Sequence, residues 1–325
     1  MQIYRDADID PAPLAGKRVA VIGYGNQGRA QALNLLDGGV DVCVGLREGS
    51  ARAAQAADAG LRVLPVAQAA AQADVVVLLA PDETLHEIYA AIAPVLRPGA
   101  AIGFAHGLAI HFHLIEPASH LDVFMVAPKG PGSALRADFV AGGGMAGLFA
   151  VAQDATGNAR GLALAYGRAI GCGRVGLIES TFAQETEADL FNEGAVLWGA
   201  VPELMIAGYD TLVEAGFAPE IAWLECVGEL RLLADLVAAR GMAGMREAIS
   251  TTAEFAGVSG AGRIVTDDTR TAMRAVLAEV RSGAMTHAMM IDARAGLPRL
   301  AAARRAQAAH PSEDVGGRLR PLLGR

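Results

Sequence analysis

The chain has 325 residues, 53% of them hydrophobic, so it can form one large or two medium domains with a substantial core. Its formal net charge of −8 argues against nucleic acid as the main partner, although a local positive site could still bind a small anion. The three cysteines form no CxxC pattern, and the first residues lack the apolar core of a signal peptide. We therefore expect a cytoplasmic protein without disulfides, membrane spans or membrane partners.

The first half of the chain alternates short β-rich runs with alanine-rich helical stretches. Helices are predicted at 27–37, 51–59 and 83–96. Strands are predicted at 17–23, 40–46, 62–65, 74–80, 100–104, 123–126, 147–152 and 174–178. Apolar strands between helices predict a parallel sheet covered on both faces, in an α/β domain of residues 1–180.

The second half has helical periodicity with almost no strand signal. Helices are predicted at 185–214, 219–239, 266–282 and 283–308, and residues 310–325 are predicted to form a surface extension. Gly194, Gly199 and Pro202 predict a kink in the first of these helices. Residues 181–325 are therefore predicted to form an all-α domain.

A G-x-G-x-x-G pattern follows the first predicted strand and opens the first predicted helix. It comprises Gly23, Tyr24, Gly25, Asn26, Gln27 and Gly28. Glycines there permit a tight turn and close approach of a pyrophosphate, and the helix N-terminus offers free N–H groups to that anion. The pattern predicts a Rossmann-type dinucleotide site, although glycine-rich turns also occur for structural reasons alone.

The segment after the second strand indicates which dinucleotide is bound. NAD sites usually have an acidic residue there, whereas this chain has Arg47, Ser50 and Arg52, which suit a 2′-phosphate. NADPH is therefore favoured. Because Glu48 could contact a ribose hydroxyl, NADH stays open, and a solvated loop is the structural alternative.

Two pairs of carboxylates stand four residues apart in largely apolar stretches: Asp189 with Glu193, and Glu225 with Glu229. Four-residue spacing places two side chains on one helix face, and the apolar surroundings predict that both faces are buried. Buried like charges need a cation, and an all-oxygen ligand set suits Mg²⁺. The alternative is two exposed acidic helix faces.

Two further polar residues follow predicted strands, where ligands of open parallel sheets bind. Lys129 lies in the rigid Ala-Pro-Lys-Gly-Pro-Gly loop and could relay protons or stabilise negative charge. His106 could act as a proton relay, and an ordinary turn histidine is the alternative.

Together these motifs resemble ketol-acid reductoisomerase (acetohydroxy acid isomeroreductase) in its short bacterial form. The resemblance extends from Gln2 to about Leu323. The matching segments are GYGNQGRAQALNL, VGLREGS, LLAPDE, HGLAIHF, APKGPG, VAQDATGNA, ESTFAQETEADLF, MREAISTTAEF and AHPSEDVGGRLR.

The resemblance implies a Mg²⁺-dependent alkyl migration of 2-acetolactate or 2-aceto-2-hydroxybutyrate, followed by NADPH reduction to a 2,3-dihydroxy acid in valine and isoleucine biosynthesis. It also implies a knotted helical domain through which the chain forms a homodimer, with higher assembly left open. By the same resemblance, two Mg²⁺ ions are bound by Asp189 and Glu193 together with Glu225 and Glu229, the latter two supplied by the partner subunit.

The family pattern implies further roles at single positions. His106, Lys129 and Glu229 take part in catalysis, Ser250 binds the substrate carboxylate, and Asp82 and Gly132 lie beside the cofactor. Asp82 is equally plausible as a helix cap.

Several residues around the predicted ligands depart from the family pattern: Asn192, Gly194, Gly228 and Arg231. Mutation of residues that support metal ligands typically lowers metal affinity or activity by about 10–100-fold. These departures motivate an alternative, a diverged paralogue acting on another 2-hydroxy-3-keto or 2-keto acid. A non-catalytic binding protein that keeps the fold is a third hypothesis, disfavoured by the intact ligands.

Overall fold

The structure is a computed structural model that describes residues 2–323. Met1, Gly324 and Arg325, at the ends of the two predicted domains, lie outside the described residues. The chain divides into two compact units between Ala188 and Asp189. This division falls within one helix, eight residues beyond the domain boundary predicted from the sequence.

The first unit is built on a nine-stranded sheet. Its strands are β1 (Ile3–Tyr4), β2 (Arg18–Ile22), β3 (Asp41–Leu46), β4 (Arg62–Pro65), β5 (Val75–Leu78), β6 (Ala101–Phe104), β7 (Asp122–Pro128), β8 (Gly147–Gln153) and β9 (Leu177–Glu179). They are arranged in the order β1-β9-β8-β7-β6-β5-β2-β3-β4. Each strand predicted from the sequence is present, with ends shifted by up to three residues.

The sheet is mixed rather than wholly parallel, so the prediction of a parallel sheet was wrong for one edge. The six strands from β4 to β7 are parallel, but β8 runs antiparallel to β7, and β1 runs antiparallel to β9. Strand β8 is buried along much of its length, so its apolar sequence resembled that of a parallel strand. Strand β1, which has only two residues, gave no sequence signal.

Helices cover both faces of this sheet, as predicted. They are α1 (Asn26–Asp37), α2 (Ala53–Asp58), α3 (Val66–Gln72), α4 (Leu85–Ile92), α5 (Leu108–His111), α6 (Gly132–Val140) and α7 (Ala159–Ala169). Two separate buried clusters, one on each side of the strands, form the core. The predicted helix 83–96 is shorter because Pro94 starts a separate turn, Ala93–Val95, after α4.

The second unit is entirely helical within the described residues. Helix α8 (Phe182–Asn192) leads into it, and its own helices are α9 (Ala200–Glu214), α10 (Pro219–Trp223), α11 (Leu230–Glu247), α12 (Thr251–Ile264), α13 (Asp267–Arg281), α14 (Ala284–Arg294), α15 (Pro298–Ala308) and α16 (Pro311–Leu319). Helix α12 was not predicted. Gly241, with φ 69°, interrupts α11, and Leu297, with φ 60°, separates α14 from α15.

Two π-helical turns interrupt the long helical runs, at Glu193–Leu197 and at Leu224–Gly228. The first contains Gly194 and ends two residues before Gly199, in the region where the sequence predicted a kink. Turns of this kind are rare and occur frequently at functional sites.

The prediction that residues 310–325 form a surface extension was wrong. Helix α16 begins at Pro311, and its residues Ser312, Val315 and Gly316 are buried. Val315 packs in a cluster with Trp223 of α10. The polar and glycine-rich sequence concealed this helix, because its buried face is narrow.

One helical run, Phe182–Glu214, is long and apolar enough to cross a membrane by length and composition, contrary to the sequence-based expectation. A single helix of this kind is weak evidence, because interior helices of water-soluble proteins pass the same test.

Candidate active site

The glycine loop lies between β2 and α1, at the carboxyl edge of the parallel strands. Gly23 has φ 103°, and a Cβ atom there would lie 2.7 Å from the carbonyl oxygen of Leu79. A Cβ atom at Gly28 would overlap the carbonyl oxygen of Gly23. Both positions therefore require glycine, and this tight strand–turn–helix geometry is the one that binds a dinucleotide pyrophosphate.

The Ala-Pro-Lys-Gly-Pro-Gly loop packs directly against the glycine loop. Gln27 Nε2 donates to the carbonyl of Gly130 at 2.9 Å, and the Ser133 amide donates to Asn26 Oδ1 at 2.9 Å. A Cβ atom at Gly132 would overlap the Asn26 carbonyl. Gly132 thus lets the two loops pack closely against each other. Its contact with the cofactor stays a prediction.

A series of buried hydrogen bonds supports the contact between these two loops. Tyr166 Oη donates to Gln31 Oε1 at 2.7 Å, and Gln31 Nε2 donates to Gln27 Oε1 at 3.1 Å. Gln31 is fully buried. Because buried amides and hydroxyls need partners, this chain fixes the orientation of the Gln27 side chain.

The segment after β3 curls back towards the glycine loop. Arg52 Nη1 donates to the carbonyl of Tyr24 at 2.6 Å, and the Arg52 amide donates to Ser50 Oγ at 3.3 Å. Arg47 is exposed. The structure therefore places a guanidinium beside the glycine loop, where the sequence predicted a 2′-phosphate contact.

Asp82 begins a short turn, Asp82–Thr84, after β5. The N-cap residue of α4 is Thr84. Asp82 therefore does not cap this helix, which was its alternative role.

A buried carboxylate joins the two strand-end residues predicted to be catalytic. Glu185 of α8 lies 3.0 Å from Lys129 Nζ through Oε1 and 3.0 Å from His106 Nδ1 through Oε2. The Gly107 amide donates to the same Oε2 at 2.9 Å. The side chain of Glu185 is 1% exposed. We call Glu185, His106, Lys129 and the Gly107 amide the Glu185 cluster.

The electrostatics of Glu185 follow from these contacts. Burial raises the pKa of this carboxyl group, but the hydrogen bond from His106, the charges of His106 and Lys129, and the Gly107 amide outweigh it. The resulting pKa lies below the usual value for glutamate. Glu185 is therefore a buried anion that orients one imidazole and one ammonium.

Gly107 allows α8 to approach the His106 turn. A Cβ atom at Gly107 would lie 2.8 Å from the Phe182 carbonyl and would overlap Thr186 Oγ1. Any larger residue would push α8, and with it Glu185, away from His106.

Sequence reasoning identified His106 and Lys129 but missed Glu185. A signal existed, because Glu185 precedes Asp189 by four residues and continues the same helix face. The spacing of Asp189 and Glu193 forms a complete pair by itself, so it does not require a third carboxylate one turn earlier.

The four predicted metal ligands lie on two helical runs, and the π-helical turns coincide with them. Asp189 is half-buried near the end of α8, and Glu193 opens the first π-helical turn. Glu225 lies within the second turn, and Glu229 directly follows it.

Glu193, Glu225 and Glu229 are exposed in the single chain, so the expected burial of both faces is absent there. Ser250, also exposed, caps α12 and accepts from the Ala253 amide at 3.1 Å.

The positions that depart from the family pattern have ordinary environments. Asn192 ends α8, and a Cβ atom at Gly194 would lie 3.6 Å from Val276. Arg231 forms an exposed ion pair with Asp235 at 3.5 Å. A Cβ atom at Gly228 would lie 3.4 Å from Cζ3 of Trp223, an ordinary van der Waals distance.

The α/β sheet, the glycine loop and the loops at its carboxyl edge define a nicotinamide-dependent oxidoreductase of the Rossmann type. Residues 13–176 match the acetohydroxy acid isomeroreductase NADPH-binding domain, and residues 182–324 match the ketol-acid reductoisomerase C-terminal domain. The chain belongs to the ketol-acid reductoisomerase family.

Solved structures agree with this assignment. The chain is similar to an NADH-preferring ketol-acid reductoisomerase from an uncultured archean, with 40% identity, a TM-score of 0.96 and 99% of each chain covered. A semialdehyde dehydrogenase NAD-binding protein from Cupriavidus necator is 21% identical, with a TM-score of 0.64, covering 82% of this chain and 99% of that one. A pyrroline-5-carboxylate reductase from Coxiella burnetii is 19% identical, with a TM-score of 0.56, covering 82% and 98%. The last two show the fold alone.

The family assignment gives the chain an isomerase and reductase role in branched-chain amino acid biosynthesis. It does not favour the alternative of a diverged paralogue. The same comparisons support a nicotinamide cofactor.

Replacing Glu185 by Gln should make the stability of the protein less dependent on pH. The folded-state pKa of Glu185 lies below its unfolded value, so its contribution is present above about pH 4.3 and is lost as the pH falls through the folded-state pKa. At pH 7 we expect Glu185→Gln to lower the free energy of unfolding by about 1–3 kcal/mol.

Urea unfolding from pH 7 to pH 3 measures this difference. The matched control is Glu116→Gln, which changes an exposed glutamate of the same unit. If the difference in free energy of unfolding between Glu185→Gln and wild type stays constant over this range, Glu185 does not have a lowered pKa in the folded protein.

Proposed function

We propose that the chain converts 2-acetolactate and 2-aceto-2-hydroxybutyrate to 2,3-dihydroxy acids by Mg²⁺-dependent alkyl migration and NADPH reduction. The observation that carries the proposal is the Glu185 cluster, because one buried carboxylate presents an imidazole and an ammonium at the carboxyl edge of a dinucleotide-binding sheet. Such a pair can move protons and hold negative charge where a ketone is rearranged and reduced.

The chemistry of the donors supports two Mg²⁺ ions held by Asp189, Glu193, Glu225 and Glu229. All four offer only oxygen atoms, and three are exposed on the single chain, where they can reach an ion and water. When bound, Mg²⁺ would polarise the hydroxyl and ketone oxygens of the substrate. Glu229, at the end of its π-helical turn, is proposed to assist catalysis as well as bind metal.

The protein's own groups have separable tasks. Lys129 holds its ammonium 3.0 Å from Glu185 and stays 34% exposed, so it can stabilise negative charge on a substrate oxygen. His106 lies 3.0 Å from Glu185 through Nδ1, and we propose that its imidazole exchanges a proton with the substrate. Glu185 positions both residues.

Ser250 is proposed to bind the substrate carboxylate. It caps α12, so its hydroxyl lies with the first amides of that helix, which attract anions. Binding would compete with the present hydrogen bond from Ala253.

We propose NADPH as the preferred cofactor, with NADH used less well. Arg52 lies beside the glycine loop, and Arg47 and Ser50 belong to the same segment, so two guanidinium groups and a hydroxyl are available for a 2′-phosphate. Asp82 and Gly132 are proposed to complete the cofactor site.

We further propose that residues 1–180 form the NADP-binding domain and residues 181–325 the metal-binding and dimerisation domain. Helices α11 and α12 expose large apolar side chains, including Leu232, Met242, Phe255 and Val258. So much exposed apolar surface favours a partner, and a second copy could supply Glu225 and Glu229 to each site.

The cytoplasm is the proposed location, and neither nucleic acid nor membrane is proposed as a partner. All three cysteines are free, two of them buried, as expected in a reducing compartment.

The activity is tested by incubating the protein with 2-acetolactate, NADPH and Mg²⁺, which should yield 2,3-dihydroxyisovalerate. Glu225→Gln should lower kcat by more than about 100-fold, because a ligand of the metal site is lost. Glu214→Gln, at the exposed end of α9, is the matched control. Product formation by wild type in excess chelator would refute the Mg²⁺ requirement, and failure to form product would refute the activity.

Cofactor preference is tested by Arg47→Ala and Arg52→Ala. Each should lower the ratio of kcat/KM for NADPH to kcat/KM for NADH about 10-fold, since each removes a charge-assisted contact with the 2′-phosphate. Arg62→Ala, at another exposed arginine of the unit, should leave the ratio unchanged. Equal losses with both cofactors would mean that these arginines support only the loop.

The dimer is tested by sedimentation of Phe255→Asp and Val258→Asp. Each puts a charge on the exposed apolar surface of α12, so we expect monomers at micromolar concentration while wild type sediments as a dimer or larger. Val140→Asp alters a similarly exposed valine of the first unit and should remain associated. A monomeric wild type would exclude the proposed interface.

A further inference from the structure

The buried core of the second unit adjoins the π-helical turn that carries Glu225. Tyr209, Ala222, Trp223 and Val315 form this cluster, contributed by α9, α10 and α16. Cys226 and Val227, the two residues after Glu225, pack against it. The backbone of the turn is therefore held by a core that the C-terminal helix α16 completes.

The ring of Trp223 connects α16 to the residue that precedes Glu229. A Cβ atom at Gly316 would lie 2.7 Å from Nε1 and 3.0 Å from Cε2 of the indole. A Cβ atom at Gly228 would lie 3.4 Å from Cζ3 of the same ring. The indole therefore leaves no space for a Cβ atom at Gly316, and it is within van der Waals distance of the Cβ position of Gly228.

Helix α16 is anchored well enough to transmit this contact. The ring of His310 caps it by accepting from the Ser312 amide at 3.3 Å, and His310 Nε2 lies 3.3 Å from Asp210 Oδ1 on α9. Arg318 Nη2 lies 2.9 Å from Glu220 Oε1 on α10. With α16 tied to both neighbours, a displaced indole would move towards Gly228 more readily than α16 would retreat.

We propose that Gly316 is a positioning residue that acts through Trp223 on Gly228 and Glu229 and so sets the affinity of the metal site. It rests on the proposed role of Glu225 and Glu229 as Mg²⁺ ligands.

Gly316→Ala is the direct test, because its new methyl group must displace the indole. We expect the dissociation constant for Mg²⁺ to rise about 10-fold, the effect typical of a residue that supports a metal ligand. Gly317→Ala is the matched control. It makes the same change one residue further along α16, where the nearest neighbour of a Cβ atom is an Arg320 nitrogen at 3.9 Å.

A double-mutant cycle shows whether the effect passes through the indole. Trp223→Phe removes the Nε1 edge that Gly316→Ala would strike. In the Trp223→Phe background, Gly316→Ala should change Mg²⁺ affinity less than twofold. An unchanged 10-fold effect in that background would overturn the proposed route.

Calorimetric titration of the full-length protein with MgCl₂, in the presence of NADPH, measures the affinity without turnover. If wild type binds Mg²⁺ and Gly316→Ala binds it as tightly as Gly317→Ala, the inference fails and the proposed function stands. If wild type binds no Mg²⁺, the proposed function itself fails.

Should Gly316→Ala not fold, Val315→Ala provides a second test. It empties part of the same cluster and should weaken Mg²⁺ binding several-fold, whereas Leu322→Ala, at an exposed side chain, should not. Equal affinity of these two variants would overturn the inference.

Discussion

The site of this enzyme depends on one buried anion. A carboxylate that is 1% exposed would be costly to ionise. An imidazole, an ammonium and a backbone amide nevertheless hold the pKa of Glu185 below its usual value. The same three contacts join three separate pieces of chain, the turn after β6, the loop after β7 and helix α8. Removing the negative charge would therefore disturb the positions of His106 and Lys129, the two residues proposed to be catalytic, together. Glu185 therefore orients both residues through direct contacts.

Much of the fold could be predicted because its signals are local. The apolar strands of the sheet and the glycine loop follow from residue patterns a few positions long. The direction of β8 could not be read in the same way, since a buried strand has the same composition whether its neighbour is parallel or antiparallel. Helix α16 was missed because only Ser312, Val315 and Gly316 of its residues are buried.

The site shows the same division between local and distant information. His106 and Lys129 could be proposed because each follows a strand. Their shared partner, Glu185, could not, because it lies 56 residues after Lys129 and 78 residues after Gly107, the neighbour of His106. The carboxylate pairs were visible as spacings, whereas the π-helical turns beneath them were not, since no residue type requires such a turn. The apolar residues around these carboxylates predicted their burial, but in a single chain three of the four are exposed.

The positions of the tryptophans have a practical consequence. The chain has only 2 of them, Trp198 and Trp223. Trp198 directly follows one π-helical turn, and Trp223 directly precedes the other. They also differ in environment, with Trp198 67% exposed and Trp223 5% exposed. The tryptophan fluorescence of this protein, excited selectively near the red edge of absorption, therefore arises beside the two sets of carboxylates. One emitter is exposed to solvent and the other is shielded, so the two can be separated by wavelength without any label.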